Sequence, residues 1–298
     1  MALGKLTISI DLELAWGVWD HLTPQDLSLA ALAERPICAA LIDLFDRHQV
    51  PATWAVVAAL LDEASASTRP GPGACWFAPD IVERLLKSKA GHEICSHSGR
   101  HIYFDTASPA EARADLEFAK AVHAAHGLGF KSFVFPRGAS GNLDAVAAVG
   151  LEVFNATADV GWIESARPLG RRAGQIANLV DKMLPIPPQP VTAERSGRLI
   201  HIPRSMHLMG RNGVRRFALP VVTRAKLRAG LRRARETGGT FHLWFHPSNF
   251  YFRRDEQLAT LDWFLGHAAE EAARGRIEIR TMGSYAREPS GAIADGTA

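Results

Sequence analysis

Cysteine is scarce in this 298-residue chain: Cys38, Cys75 and Cys95 are its three, and none forms a Cys-x-x-Cys pair. An odd count without paired spacing argues against a disulfide framework and for a reducing compartment. Long apolar runs are missing too. No stretch approaches the roughly 18 consecutive apolar residues that a membrane helix needs. The first residues pass directly into a strand-like run, without the basic and apolar regions of a secretion signal. A cytoplasmic protein is therefore expected. Acidic residues are absent from Arg195 to Arg235 while basic ones recur, so this segment carries a positive field although the formal net charge is only +3. No recognition motif accompanies that charge, and nucleic acid is not an expected partner.

What is present is an alternation of short and long patterns. Runs rich in β-branched or aromatic residues at 6–10, 52–57, 91–95, 132–135, 151–154, 199–203, 240–245 and 277–279 read as strands. Apolar periodicity predicts helices at 29–48, 79–89, 108–126, 142–149, 223–236 and 255–274. The stretch 62–76, with Pro70-Gly71-Pro72-Gly73, reads as a loop, a connector or a lid, and 155–197 loses periodicity and is expected to border the site or pack over the fold. Strands alternating with helices imply an α/β fold with a parallel sheet, and about seven or eight such units favour closure into a barrel. A single domain over 1–287 and a disordered tail over 288–298 are expected.

In such barrels the chemistry gathers at the carboxyl-terminal ends of the strands. Asp11, Glu13, His97, His101, Arg137 and His246 all fall at or just beyond predicted strand ends. His97 and His101 suit one divalent metal, and Asp11 and Glu13, two apart and so on one face of a strand, offer a third ligand and a base. Two carboxylates at a buried strand end repel each other unless a cation or a shared proton relieves them. His201, His207 and His242 read as packing or solvent-facing residues, and Cys95 as a buried thiol.

These residues form an ordered series that resembles the polysaccharide deacetylase family, carbohydrate esterase family 4, also called the NodB homology domain. The likeness runs over about 6–282. Ile8-Ser9-Ile10-Asp11-Leu12-Glu13 looks like the family's first motif, and His97-Ser98-Gly99-Arg100-His101 matches its second, His-Ser/Thr-x-x-His. Phe135-Pro136-Arg137-Gly138 resembles the third motif, Leu243-Trp244-Phe245-His246 the fifth, and Pro51-Ala52-Thr53-Trp54 the family's second strand. The resemblance implies a distorted (β/α) barrel of about seven parallel strands, with Asp11 as general base, Glu13, His97 and His101 as metal ligands, and His246 as general acid. It implies one divalent metal, Zn2+ first, with Co2+, Ni2+, Mn2+ or Fe2+ as alternatives. Two positions depart from the pattern. Most members carry Asp where Glu13 stands, so Glu13 binds the metal directly, binds it through water, or leaves Asp11 as ligand. The usual arginine of the third motif precedes the proline by two residues, where this chain has Val134, and Arg137 would orient Asp11 from a different origin.

A centre of this kind suits amide hydrolysis, with a metal to polarise the acyl group, Asp11 to take a proton from water and His246 to protonate the leaving amine. The expected reaction is removal of an acetyl or formyl group from an amino sugar. In a cytoplasmic setting that sugar is a nucleotide- or lipid-carrier-linked precursor of a surface glycan. The cations between Arg195 and Arg235 would meet a phosphate or an anionic membrane face. The alternatives are a catalytically silent sugar-binding protein on the same fold and an allantoinase-like cyclic-amide hydrolase.

Overall fold

Strand β1 (Gly4–Leu12) is buried along almost its whole length, and its two faces differ in chemistry. Leu6, Ile8, Ile10 and Leu12 join the core shared with the flanking helices. Thr7, Ser9 and Asp11 point the other way, to the Tyr285 hydroxyl, the His242 ring and the Arg204 guanidinium. The period of two therefore separates an apolar outside from a polar axis. The computed structural model describes residues 2–156, 180–181, 183–288 and 293–295.

On one side of β1 lie β2 (Thr53–Val56), β3 (Glu93–Ser96), β4 (Ser132–Val134) and β5 (Val153–Asn155), all parallel. Beyond them β6 (Glu194–Ser196) and β7 (Leu199–His201) form an antiparallel hairpin, with β7 parallel to β5. Strand β8 (Met206–His207) pairs with β9 (Thr240–Phe245), which lies on the other side of β1, and β10 (Ile277–Ile279) extends the start of β1. The segment carrying β7 and β8 joins the two edges: the Ile202 N–H donates to the Phe154 carbonyl at 2.9 Å, and the Ser205 N–H to the His242 carbonyl at 2.9 Å. The sheet thus curls into the distorted barrel that the alternation of elements predicts.

The helices cover its outside. Helix α1 (Pro24–His48) starts five residues before the predicted onset, because the Thr23 hydroxyl caps the Asp26 N–H at 3.2 Å and Pro24 occupies the first turn. The stretch expected as a plain loop contains α2 (Glu63–Ser67), capped by Asp62. Helices α3 (Pro79–Leu86), α4 (Pro109–Ala125) and α5 (Leu143–Ala148) follow. Helix α6 (Pro220–Thr237) buries Leu227, Leu231 and Ala234 and leaves most of its arginines outside, and α7 (Arg254–Ala273) packs beside it. Of the stretch 288–298 only 288 and 293–295 are among the described residues; there Ile293 is buried and β11 (Ala294–Asp295) pairs with β6. Most of the aperiodic stretch 155–197 lies outside the described residues. No helix among the described residues is long and apolar enough to cross a membrane.

At the amino-terminal ends of the strands the barrel is closed by hydrogen bonds. Glu93 accepts from Thr53 Oγ1 at 2.9 Å, from the Gly283 N–H at 2.9 and 3.0 Å, and from the Ser132 hydroxyl. The Tyr285 hydroxyl lies 3.1 Å from both Thr7 and Thr240. A Cβ at Gly283 would overlap the Glu93 carboxylate and displace it from these bonds.

Candidate active site

The opposite end is built by short turns. Glu13 follows β1 directly, and the next residue, Leu14, has φ of 46°, a left-handed conformation that turns the chain sharply. Gly17 gives the Glu13 side chain room, because a Cβ there would overlap Glu13 Oε2. His97 follows β3 on a turn in which Ser98 and His101 are both left-handed, with φ of 69° and 58°. The strain is held by three bonds: the His101 N–H donates to Ser98 Oγ at 2.8 Å, and the Gly99 and Arg100 N–H groups donate to the two Asp115 oxygens at 2.6 and 2.8 Å.

The turns bring three of the predicted residues together. Glu13 Oε1 lies 2.9 Å from His97 Nε2 and 3.0 Å from His101 Nε2. Glu13 therefore reaches both imidazoles directly, in spite of its extra methylene. His246, arriving after β9, places Nε2 3.4 Å from Glu13 Oε1 and 3.7 Å from Asp11 Oδ2. Burial works against the Glu13 carboxylate, yet the His246 and His101 charges outweigh it and hold it well below the usual range. Burial likewise opposes the charged His246, but Glu13 and then Asp11 raise it to about 9.

The tautomer of His97 tests whether a metal fits. Its Nδ1 lies 2.7 Å from the Val134 carbonyl oxygen, which only accepts, so Nδ1 carries the hydrogen. A neutral His97 then directs the Nε2 lone pair at a carboxylate oxygen 2.9 Å away. Two acceptors at that distance repel unless a second proton or a cation joins them. Glu13, His97 and His101 have one ligand atom each within 4.8 Å of the others, and Asp11, Glu13 and His246 form a second such group. Two imidazoles and a carboxylate are a fitting donor set for a divalent transition metal, with the carbonyl behind His97 fixing the ring.

Asp11 is 2 % exposed, and its Oδ1 has no hydrogen-bond partner among the described residues. Its Oδ2 lies 3.4 Å from the Arg204 guanidinium. Arg204 is itself buried, donates through Nε to Asn155 Oδ1, and lies 4.0 Å from the centre of the Trp244 ring. The expectation for Arg137 is thereby corrected. It pairs with Asp20 at 2.6 Å on the rim and rests beside Tyr103, because its own left-handed φ of 58° turns it out of the barrel. Arg204 follows the predicted strand 199–203, so the same strand-end rule that marked Arg137 would have marked it.

Glu34 was also missed. It stands on α1, 7 % exposed, with Oε2 unpartnered among the described residues. Burial, with the Glu13 charge second, raises its carboxyl to about 7. The helical period Ala31, Glu34, Cys38, Leu41 was the available signal for an acid on a buried face. His242 serves the scaffold: burial, then the Arg204 charge, lowers it to about 3, and it bonds Ser9 at 2.9 Å and the Pro203 carbonyl at 3.0 Å. His201 stacks on Phe154 and His207 on Trp244, while burial pushes the Cys95 thiol well up.

The polysaccharide deacetylase family model matches residues 25–153. No curated protein sequence matches. Among solved structures, one described as a polysaccharide deacetylase from Mycobacterium smegmatis is similar at 17% identity and TM-score 0.67, over 99% of this chain and 93% of that one. One from Pseudomonas aeruginosa PAO1, also described as a polysaccharide deacetylase, is similar at 17% and TM-score 0.63, over 95% and 89%. The Puue allantoinase is similar at 17% and TM-score 0.64, also over 95% and 89%. At these identities the structures speak for a shared fold, and the family match covers the segment that carries His97 and His101. Residues 25–153 are thus similar to the polysaccharide deacetylase family, and the chain as a whole shares the fold of these solved structures.

Proposed function

We propose that this protein is a metal-dependent hydrolase that removes an acetyl or formyl group from the nitrogen of an amino sugar. The observation that carries the reading is the convergence of Glu13, His97 and His101 on one point, with Asp11 and His246 beside it. Glu13, His97 and His101 would hold one divalent metal, Zn2+ before others, which when bound supplies Lewis acidity toward an acyl oxygen and acidifies water.

The chain's own groups divide the proton work. Asp11 is oriented by Arg204 through one oxygen and keeps the other, Oδ1, available to take a proton from water. His246, one quarter exposed at the mouth, carries a proton that it can deliver to a departing nitrogen. Arg204 acts through Asp11 and is a positioning residue; packing against Trp244 limits the orientations open to its guanidinium.

The substrate is read as a nucleotide- or lipid-carrier-linked precursor. Around Arg215 and Arg216, Val214, Phe217, Leu219 and Val221 are each about 60% exposed, a mixture suited to an anionic lipid face. Cosedimentation with anionic but not neutral vesicles would support that part; equal recovery with both would remove it. The reaction itself is tested by acetate and formate release from N-acyl amino sugars, free, nucleotide-linked and polyprenyl-phosphate-linked. Release by the metal-loaded protein that is lost in Asp11→Asn supports the hydrolase. Stoichiometric metal without release from any of them points to a binding protein, and release of ring-opened product from a cyclic amide alone points to the allantoinase-like reaction.

A further inference from the structure

A pocket of about 270 Å³ is lined by Trp16, Asp62, Ser65, Thr68, Arg69 and Arg100. It shares two segments with the site: Trp16 is three residues beyond Glu13, and Arg100 immediately precedes His101. The stretch 62–76 supplies most of its other wall.

Arg69 is fixed by aromatic rings. Its guanidinium carbon lies 4.4 Å from the centre of the Trp16 ring, 5.1 Å from Trp19 and 5.5 Å from Trp76. Those rings are held in turn: Trp16 Nε1 donates to the Trp76 carbonyl at 3.0 Å, and Trp76 Nε1 to the Pro70 carbonyl at 2.8 Å. Arg100 is similarly seated, 3.6 Å above the Phe118 ring. Neither guanidinium has a carboxylate within ion-pair distance among the described residues, whereas Arg35, Arg84, Arg211 and Arg235 each have one. Asp62, the one acid in the lining, accepts from the Ser65 N–H at 2.8 Å and caps α2. Burial and the charge of Arg100 both disfavour the Arg69 cation. The Asp115 carboxylate feels the Arg100 charge but makes no ion pair with it, so two pre-positioned guanidinium groups free of a direct carboxylate contact, next to two hydroxyls, are complementary to an anion rich in acceptor oxygens.

We propose that the Trp16–Arg69–Arg100 pocket is a subsite for a phosphate group of the substrate. Its volume is below the ~300 Å³ at which drug-sized pockets begin, so it takes one group and not a whole molecule. The donors exceed what a lone carboxylate needs and match the several oxygens of a phosphate. That the phosphate belongs to the substrate rests on the hydrolase reading; binding of the anion does not.

Tryptophan fluorescence provides the test, since Trp16 lines the pocket and the Trp76 ring lies against Arg69. Titration of the metal-loaded protein with inorganic phosphate is expected to saturate, and Arg69→Gln and Arg100→Gln are each expected to weaken binding about tenfold or more, with Arg69→Lys between. Arg100 is exposed, so Arg100→Gln carries the test if Arg69→Gln fails to fold by circular dichroism. The second arm compares amide hydrolysis of N-acetylhexosamine 1-phosphate with that of the neutral methyl glycoside. The preference for the phosphorylated substrate should fall with the variants, through KM and not kcat. Nucleotide-linked and polyprenyl-phosphate-linked sugars then identify the source of the phosphate. Absence of saturable binding, or binding equal in both variants as for phosphate at the metal centre, overturns the subsite even if the neutral glycoside is hydrolysed. Arginine-dependent binding without hydrolysis of either substrate keeps the subsite and overturns the hydrolase.

Discussion

At the amino-terminal end of the barrel, Glu93 is met by Thr53, Ser132 and Gly283, and Tyr285 by Thr7 and Thr240. At the carboxyl-terminal end, Asp11, Glu13 and Glu34 lie among imidazoles and one guanidinium, and Asp11 Oδ1 and Glu34 Oε2 have no partner among the described residues. The same strands therefore carry buried polar groups of the same kinds at both ends, with opposite bookkeeping. A saturated carboxylate holds structure together. An unsaturated one keeps an oxygen available, which is what proton transfer requires.

That contrast breaks most visibly at Asp11. Asp11→Asn is expected to lower kcat/KM for amide hydrolysis by about 10²–10⁴-fold in protein that is still folded by circular dichroism. A variant that is both active and destabilised would assign Asp11 to the scaffold. Glu93→Ala is the mirror image. Leaving Thr53, Ser132 and Gly283 without their acceptor should cost about 3 kcal/mol in urea unfolding, while kcat per folded molecule is unchanged.

Glu34 sharpens the comparison through pH. Its folded carboxyl, raised to about 7 by burial and then by Glu13, binds a proton over a range in which the unfolded chain has released it. Stability attributable to this group is thus present below its ordinary value and is lost as pH rises to about 7, by up to roughly 3 kcal/mol (2.5 pH units at 1.36 each). Glu34→Gln should flatten that decline in urea titrations from pH 4.5 to 8; an unchanged slope would show that Glu34 is already ionised. The smallest effect is expected at the arginines. Arg204→Lys keeps the charge but loses the planar fork, and kcat/KM should fall about tenfold with an altered acid limb of the pH profile. Arg137→Lys, on the rim, should leave both within about twofold. The reverse ranking would restore Arg137 as the partner of Asp11.

Much of this was legible in the sequence, for local reasons. β1 is a short, β-branched run buried on both faces, and the strand-end rule located Asp11, Glu13, His97, His101 and His246, all of which the fold gathers at one mouth. Arg204 stood at a strand end that the same rule could have marked, but its reach to Asp11 was not legible, because it depends on a closure that pairs residues 47 positions apart, as in the bond from Asn155 to Ile202. Arg137 shows the same limit from the other side. A strand end gives a position, but a single left-handed φ decides which way the side chain leaves it. The arginines of the pocket were hidden for a third reason: Arg69 stands in a Pro-Gly-rich stretch whose fold depends on tryptophans from two segments.

The carboxyl-terminal mouth, and not the equally polar opposite end, is expected to hold a metal through Glu13, His97 and His101. Equilibrium Zn2+ titration of the purified protein, Glu13→Ala and Glu93→Ala tests it most directly. One tightly bound equivalent in the wild type and in Glu93→Ala, and none in Glu13→Ala, is the predicted result. Binding that survives in Glu13→Ala with unchanged affinity would contradict it.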